Sequence, residues 1–574
     1  MSSPYFFSPD RLKILVHRLR PDMWTIVTLA VSAIVALPIL TIAGGLLVPV
    51  PDIWSHLAAT VLPRYLVNTG LLMVGVGVLV LIIGVGTAWL VATCDFPGRR
   101  IFEWALLLPF AMPSYVIAYA YTDFLQYAGP VQSALRETFG WGRDDYWFPD
   151  VRSLSGAIVL FGLVFYPYVY LLCRAAFVGQ PGHLLEAGRS LGRSATSVFV
   201  SVAIPIARPS IVAGLSLALM ETLGEFGAVQ FFGVDTFTTG IYRVGFGMGE
   251  QVAAAQLAAI LLIFVLVLIA LERTGRQRAK FFSRSVGGRP RQPSRLGPLA
   301  GAGAFAACLV PIFFGFLCPA ALLAYMHFTV GDARLGTEFA GYAWNSFTLA
   351  AITAVLAVSL GVVMAYGARQ SRSPLTHAAT NFASMGYAVP GSVVAVGVLI
   401  PLAALDTRLN AWLSDAFGLS VGLILIGTVF GLIFAYLVRF LAISFGTVSA
   451  ALTKITPSVD EASRSLGHGR ISTLFRIHIP MMRGSLLAAM ILVFVDVMKE
   501  LPATLMLRPF NYDTLAVRAH QLASDERLSQ ASSSALTIVL VSLLPVIMLS
   551  VAMHRDERSE RRPSVAIRLS RRKE

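Results

Sequence analysis

The chain has 574 residues, 56% of them hydrophobic and only 13% charged, with a mean hydropathy of +0.72 and a formal net charge of +14. Ordinary soluble chains carry about 25% charged residues, so this one cannot clothe a water-facing surface of its size, and a soluble enzyme is excluded. The basic balance could suggest nucleic acid, but its placement along the chain follows membrane topology, and no nucleic-acid partner is expected.

The N-terminal segment, 1–22, carries Arg11, Lys13, Arg18 and Arg20 ahead of an apolar run of 25 or so residues. That run is longer than the roughly 7–15 residue core of a signal peptide, so it reads as a retained anchor. Apolar spans are predicted near 23–48, 66–93, 102–125, 154–178, 208–232 and 252–271. A basic linker rich in Gly and Pro follows at 272–297. A second set of spans is predicted near 298–326, 345–368, 378–404, 420–444, 483–507 and 532–553, ahead of a basic tail at 554–574. Most exceed the roughly 20 residues that a helix needs to cross hydrocarbon, and alternating segments of about 10 residues, the mark of a barrel, are not seen. The expectation is an all-α polytopic membrane protein of about 12 transmembrane helices. Of the 45 Lys and Arg, 34 fall on the side of the N-terminus and 10 on the other, with Lys499 inside a span. By the positive-inside rule both termini are expected in the cytoplasm. Cys94, Cys173, Cys308 and Cys318 lie in or beside apolar runs, without disulfide or metal spacing, and read as small core residues.

The two sets of spans repeat each other. A shift of 277 pairs Asn68 with Asn345, Gly84 with Gly361, Ala88 with Ala365, Pro97 with Pro374 and Pro113 with Pro390. A shift of 275 then pairs Glu186 with Glu461, Gly192 with Gly467, Pro205 with Pro480, Glu221 with Asp496, Glu225 with Glu500 and Arg243 with Arg518. Six spans and a linker on one side give two parallel six-helix repeats, 23–271 and 298–553, related by an axis along the membrane normal.

The long loop of each half, 179–207 and 455–482, carries the most informative motif. EAGRSLGRSATSVFVSVAIP runs from Glu186 to Pro205 and EASRSLGHGRISTLFRIHIP from Glu461 to Pro480. The acid suits the first turn of a short helix, the glycine a tight turn, and the proline the opening of the next span. The alternative is a pair of basic amphipathic segments lying on lipid. Small residues at Ala187, Gly188, Ala462 and Ser463 favour close packing against a protein.

This spacing resembles the EAA loop of the permeases of binding-protein-dependent ABC importers. The resemblance implies the type I permease fold, a bacterial inner-membrane location, and coupling loops that dock on an ATPase. Two loops in one chain imply two copies of that ATPase, with Glu186 and Glu461 as acidic contacts and Gly192 and Gly467 as turns. None of the five lysines follows a glycine, so the phosphate-binding loop of an ATPase is missing, and no HExxH occurs. No catalytic residue, metal ligand or cofactor is expected in this chain; ATP and Mg would belong to the partner. His468 and His478 are expected at the surface.

Glu221 and Glu225 on the fifth span, and Asp496, Lys499 and Glu500 on the eleventh, are ionisable groups in apolar surroundings. Such groups line a water-filled path or pair internally. As pathway residues the carboxylates suit a cation or cationic complex; the alternative is that Lys499 pairs with one of them and the rest cap helix breaks near Gly224 and Pro502. Pro109, Pro113, Pro390 and Pro502 are the expected breaks. The segments Leu223 to Glu250, Met498 to Glu526 and Phe96 to Gln132 resemble ferric-iron transport permeases. That resemblance implies a periplasmic binding protein, docked on loops near 126–153, 233–250 and 508–531, where Arg136, Arg143, Asp144, Asp145, Arg243, Arg518 and Asp525 are mixed. Tyr115, Tyr119 and Tyr121 read as an interfacial aromatic belt rather than iron ligands. The rivals are a permease for thiamine or another organic cation and, from another class, a secondary transporter, which needs no pair of coupling loops.

Overall fold

The computed structural model describes residues 23–180, 190–277, 294–329, 337–371, 373–419 and 421–560. It is helical apart from one two-residue parallel pairing of β1 (Cys94–Asp95) with β2 (Ser294–Arg295), which ties the end of the linker back to the first half. Among the described residues eleven helices are long and apolar enough to cross a membrane, and a bent pair raises this to twelve.

The first half contains α1 (Met23–Gly45), α2 (Leu62–Thr93), α3 (Arg99–Ala105), α4 (Ser114–Leu125), α5 (Leu154–Val178), α6 (Thr196–Gly224), α7 (Gly227–Phe231), α8 (Phe237–Tyr242) and α9 (Gln251–Gln277). The second contains α10 (Pro298–Thr329), α11 (Thr337–Gln370), α12 (Pro374–Ala383), α13 (Gly391–Phe417), α14 (Val429–Thr453), α15 (Pro457–Ser465), α16 (Arg470–Met498), α17 (Pro502–Leu507), α18 (Leu515–Ser524) and α19 (Leu528–Glu560). In each half the long second span packs on the fourth and fifth: α2 on α5 and α6, α11 on α14 and α16. The pair Gly84 and Gly361 sits at these crossings. A β-carbon on Gly84 would lie 2.7 Å from Val169 Cβ, and one on Gly361 would lie 2.7 Å from Ser444 Oγ. Small residues let helix backbones close on each other where lipid supplies no hydrophobic drive.

The halves are interleaved. α1 packs on α11, α12 and α13 of the second half, while α10 packs on α2, α3 and α4 of the first. Each first helix also packs within its own half, α1 on α9 and α10 on α19, so these two helices join the halves into one body.

Several spans differ from expectation. The third, expected as one helix over 102–125, is broken: Pro109 lies in a 3-10 turn at Leu108–Ala111, Pro113 precedes α4, and the pieces meet at 89°. Its repeat, expected at 378–404, is α13 at Gly391–Phe417, set off by Pro390. The fifth and eleventh spans stop at Gly224 and Met498, short of 232 and 507, because acidic groups there cap new short helices. Pro205 and Pro480 do not open spans. Each lies inside a continuous helix just after a π turn, Phe199–Ala203 and Leu474–His478. The wider turn absorbs the hydrogen bond that proline lacks.

Candidate functional site

The ends of α6 and α16 bring all five expected pathway residues to one place. Glu225 follows α6, and its Oε1 accepts the Ala228 N–H of α7 at 2.9 Å. Ser114 at the start of α4 donates its hydroxyl to the other carboxylate oxygen, and Thr238 Oγ1 donates to the Glu225 carbonyl at 2.8 Å. Glu500 does the same for α17: it accepts the N–H of Ala503 and of Thr504, each at 3.0 Å, and the Thr504 hydroxyl at 2.8 Å. Carboxylates fit helix N-termini because the free N–H groups and the dipole both favour negative charge. Lys499 Nζ lies 2.9 Å from Asp496 Oδ1, one turn before it.

These groups, with Glu221, line a cavity of about 100 Å³ between the halves, room for several waters. Arg439 of α14 enters the same wall and donates to Glu500 Oε1 at 3.1 Å, while its Nε is buried without a hydrogen-bond partner among the described residues. The wall thus carries four carboxylates against two cations. Among the described residues no three of His, Cys, Asp and Glu gather closely enough to hold a metal ion, so the carboxylates are spread along the wall. Sequence reasoning missed Arg439 because it grouped that residue with loop charges. The signal was present, an arginine inside the apolar run from Val429 to Gly446.

A wider cavity of about 730 Å³ continues on one side, lined by Leu172, Pro209, Met220 and Arg273, and shares Tyr387 with the first. On the other side, beyond the buried rings of Tyr115 and Tyr119, lies a cavity of about 320 Å³ lined by Asp123, Arg152, Phe231, His520 and Glu526. Tyr115, Tyr119 and Tyr121 are all under 10% exposed. They are interior groups rather than an interfacial belt, since the broken third span turns their helix into the bundle. Burial pushes the His520 imidazole down to about 4, so at neutral pH it is uncharged.

The knob of the second half is a helix, a turn and a helix. α15 carries Glu461 and Ala462 exposed, and Ser463 buried with its hydroxyl 2.7 Å from that of Thr473. The acid in its first turn is Asp460. Gly467 has φ +78° and its N–H donates to the Arg464 carbonyl at 3.0 Å. Gly192, its repeat, has φ +77°; L side chains avoid this left-handed region. Glu186, Ala187 and Gly188 lie outside the described residues. Leu466 at the tip is 77% exposed.

Arg369 at the end of α11 clamps this knob, with Nη2 2.6 Å from Asp460 Oδ2 and further bonds to the carbonyls of Leu452 and Ile455. His478, expected at the surface, is fully buried, with Nε2 3.0 Å from Asp460 Oδ1 and its ring against Tyr366. The π turn rotates it inward. The pairing of Arg243 with Arg518 is also corrected. Asn68 and Asn345 donate to the carbonyls of Asp235 and Asp513, so the register slips by three residues after Glu500. Arg243 pairs with Asp235 at 3.0 Å, whereas Arg518 lies over the Tyr342 ring. Of the expected outer-loop charges, Arg136 packs over Tyr127, with Arg143 beside it.

Residues 81–274 and 357–558 each match the family described as "Binding-protein-dependent transport system inner membrane component". The chain is 26% identical over 491 residues to the Fe(3+)-transport system permease protein FbpB 2 of Haemophilus influenzae, covering 84% of this chain and 88% of that one. It is 29% identical over 206 residues to the molybdenum transport system permease protein ModB of Escherichia coli, covering 34% of this chain and 87% of that one. A putative 2-aminoethylphosphonate transport system permease protein, PhnU of Salmonella paratyphi A, is 29% identical over 201 residues, covering 34% of this chain and 69% of that one.

Proposed function

The chain belongs to the binding-protein-dependent transport system inner membrane components, and on that premise we propose that it forms the whole membrane path of an ATP-driven importer of ferric iron. It is the permease subunit, a multi-pass membrane protein rather than a catalyst. The observation that carries the cargo assignment is the match to FbpB 2, which runs through both fused halves, while the matches to ModB and PhnU cover about a third of this chain. The excess of carboxylates over cations in the middle cavity supports a cationic cargo.

In this proposal the knobs and both termini face the cytoplasm. A separate ATPase, holding ATP and Mg, docks one copy on each knob, and a periplasmic binding protein delivers iron to the opposite face. ATP binding draws the knobs together and opens the middle cavity outward; hydrolysis returns it to the inner cavity. Gly467 matters because φ +78° is closed to proline, whose ring fixes φ near −65°. Gly467→Pro is expected to abolish uptake while the chain still inserts.

The test is ATP hydrolysis in proteoliposomes holding the chain and its co-purified ATPase, with iron-loaded, iron-free, thiamine-loaded and molybdenum-loaded binding proteins compared. Stimulation by the iron-loaded protein alone is expected. Stimulation by another loaded protein overturns the cargo and leaves the coupling in place.

A further inference from the structure

One face of α4 runs from the middle cavity to the outer one. Tyr115 lines the first, Asp123 lines the second, and Tyr119 stands between them at four-residue spacing, 3% exposed. α7 repeats the arrangement, with Gly227 on the middle cavity and Phe231 on the outer one. Residues four apart share a helix face, so both helices carry one continuous wall past the same constriction. At that constriction the Tyr119 ring meets Phe231 edge to face at 4.7 Å, and its Oη lies 2.7 Å from Nδ1 of His520, which belongs to the second half. A β-carbon on Gly227 would lie 2.8 Å from Tyr115 Cβ and 2.7 Å from Leu501 Cδ2, so glycine there is what lets the walls close. The repeat does not supply these rings twice, since Tyr115 and Tyr119 correspond to Ser392 and Val396.

We propose that Tyr119 and His520 form the latch of the outer gate, a short hydrogen bond across the two halves that, with the longer one from Tyr115 Oη to the Lys499 carbonyl at 3.4 Å, holds an aromatic plug of Tyr115, Tyr119 and Phe231 closed over the middle cavity. The proposal rests on the pathway described under Proposed function. Of the two hydrogen bonds from the plug to the second half, the one at Tyr119 is the shorter, 2.7 Å against 3.4 Å, so it is the one whose loss should free the plug. The geometry is unequal: all three of the plug's rings come from the first half, while the second half supplies the latch partner, the Lys499 carbonyl and the Leu501 side chain against Gly227. Outward opening is then a movement of α18 away from α4.

The test places one cysteine at Phe110, which lines the middle cavity, in a chain whose Cys94, Cys173, Cys308 and Cys318 are serine. Its reaction with a membrane-impermeant methanethiosulfonate is timed in right-side-out and inverted vesicles containing the ATPase. From outside, the parent should react slowly without nucleotide. Tyr119→Phe, which keeps the ring and removes the hydrogen bond, should raise that rate about 5-fold, and Tyr119→Ala with His520→Ala should raise it by on the order of 10-fold or more. An unchanged outside rate in both variants, with inside reactivity retained as proof of folding, overturns the latch. A parent whose cysteine ignores ATP and vanadate on both sides overturns the pathway itself, which is a different result.

Discussion

Glu225 and Glu500 perform the same backbone task in surroundings that have been exchanged. Each caps a short helix at the end of a long one, but Glu225 is held by the Ser114 hydroxyl and Glu500 by the Arg439 guanidinium. The repeat places Gly391 where Ser114 stands and Arg439 where Val164 stands. The substitutions belong together: a β-carbon on Gly391 would lie 2.6 Å from Glu500 Oε1 and 2.7 Å from the Arg439 guanidinium, so the arginine fits only because the serine is gone. The two halves keep a common backbone frame and vary the groups that satisfy it.

The largest difference between the halves should therefore come from one conservative change made twice. Glu500→Gln leaves Arg439 buried without its carboxylate, and breaking such a pair costs about 3–5 kcal/mol. Glu225→Gln keeps an acceptor for the Ala228 N–H, and its amide NH2 donates to the Ser114 hydroxyl once that rotor turns to accept, so it should cost under about 1 kcal/mol. Denaturation midpoints in detergent would show it. Converting the second cradle into the first, by Gly391→Ser with Arg439→Val in the otherwise unchanged chain, should bring the loss within about 1 kcal/mol, although Arg439→Val alone leaves Glu500 with its three helix-end bonds and one lost partner. Equal losses for the two Gln variants would mean that Arg439 is not held by Glu500.

The knobs sharpen the comparison. In the second half Arg369, Asp460 and backbone carbonyls make an ionic clamp. In the first, Trp89 stands where Tyr366 does and is wedged between Phe177 and Phe199, and the Gln180 amide donates to the Ala203 carbonyl at 3.0 Å. Arg369→Met should loosen Pro457–Ser465 by about 2–3 kcal/mol, read as faster amide exchange there and not at 196–203. Raising salt should shift the same amides slightly and leave the aromatic anchor unmoved, because exposed parts of an ion pair are screened and ring packing is not.

These pairs also show what was legible beforehand. Gly84 and Gly361, Gly192 and Gly467, and Glu225 and Glu500 could be aligned because each is required by the backbone: a helix crossing, a left-handed turn, a cap. Arg439, Arg369 and His478 have no counterpart across the repeat, so alignment gave them no weight, and the count of charges by side placed Arg439 with a loop although it lies within the span predicted at 420–444. The packing of each first helix across the other half was also invisible, since α1 and α10 are apolar all round and their pattern does not name a partner. The break in the third span was foreshadowed by Pro109 and Pro113, but a run of apolar residues on both sides concealed the bend.

The smallest prediction is that two changes should be alike. Asn68 Nδ2 donates to the Asp235 carbonyl at 2.9 Å, and Asn345 Nδ2 donates to the Asp513 carbonyl at 3.1 Å. The acceptors are backbone groups, so the different ion pairs of the two aspartates, Asp235 with Arg64 and Arg243 and Asp513 with Arg508, do not enter. Asn68→Ala and Asn345→Ala should each cost about 1 kcal/mol and agree within about 0.5 kcal/mol. The double variant should show their sum, because the sites share no partner. Thermal unfolding of the three variants in one detergent would test it. An unequal pair would place the asymmetry in the backbone frame itself, and the swap of Ser114 and Val164 for Gly391 and Arg439 could then no longer be explained as two fillings of one mould.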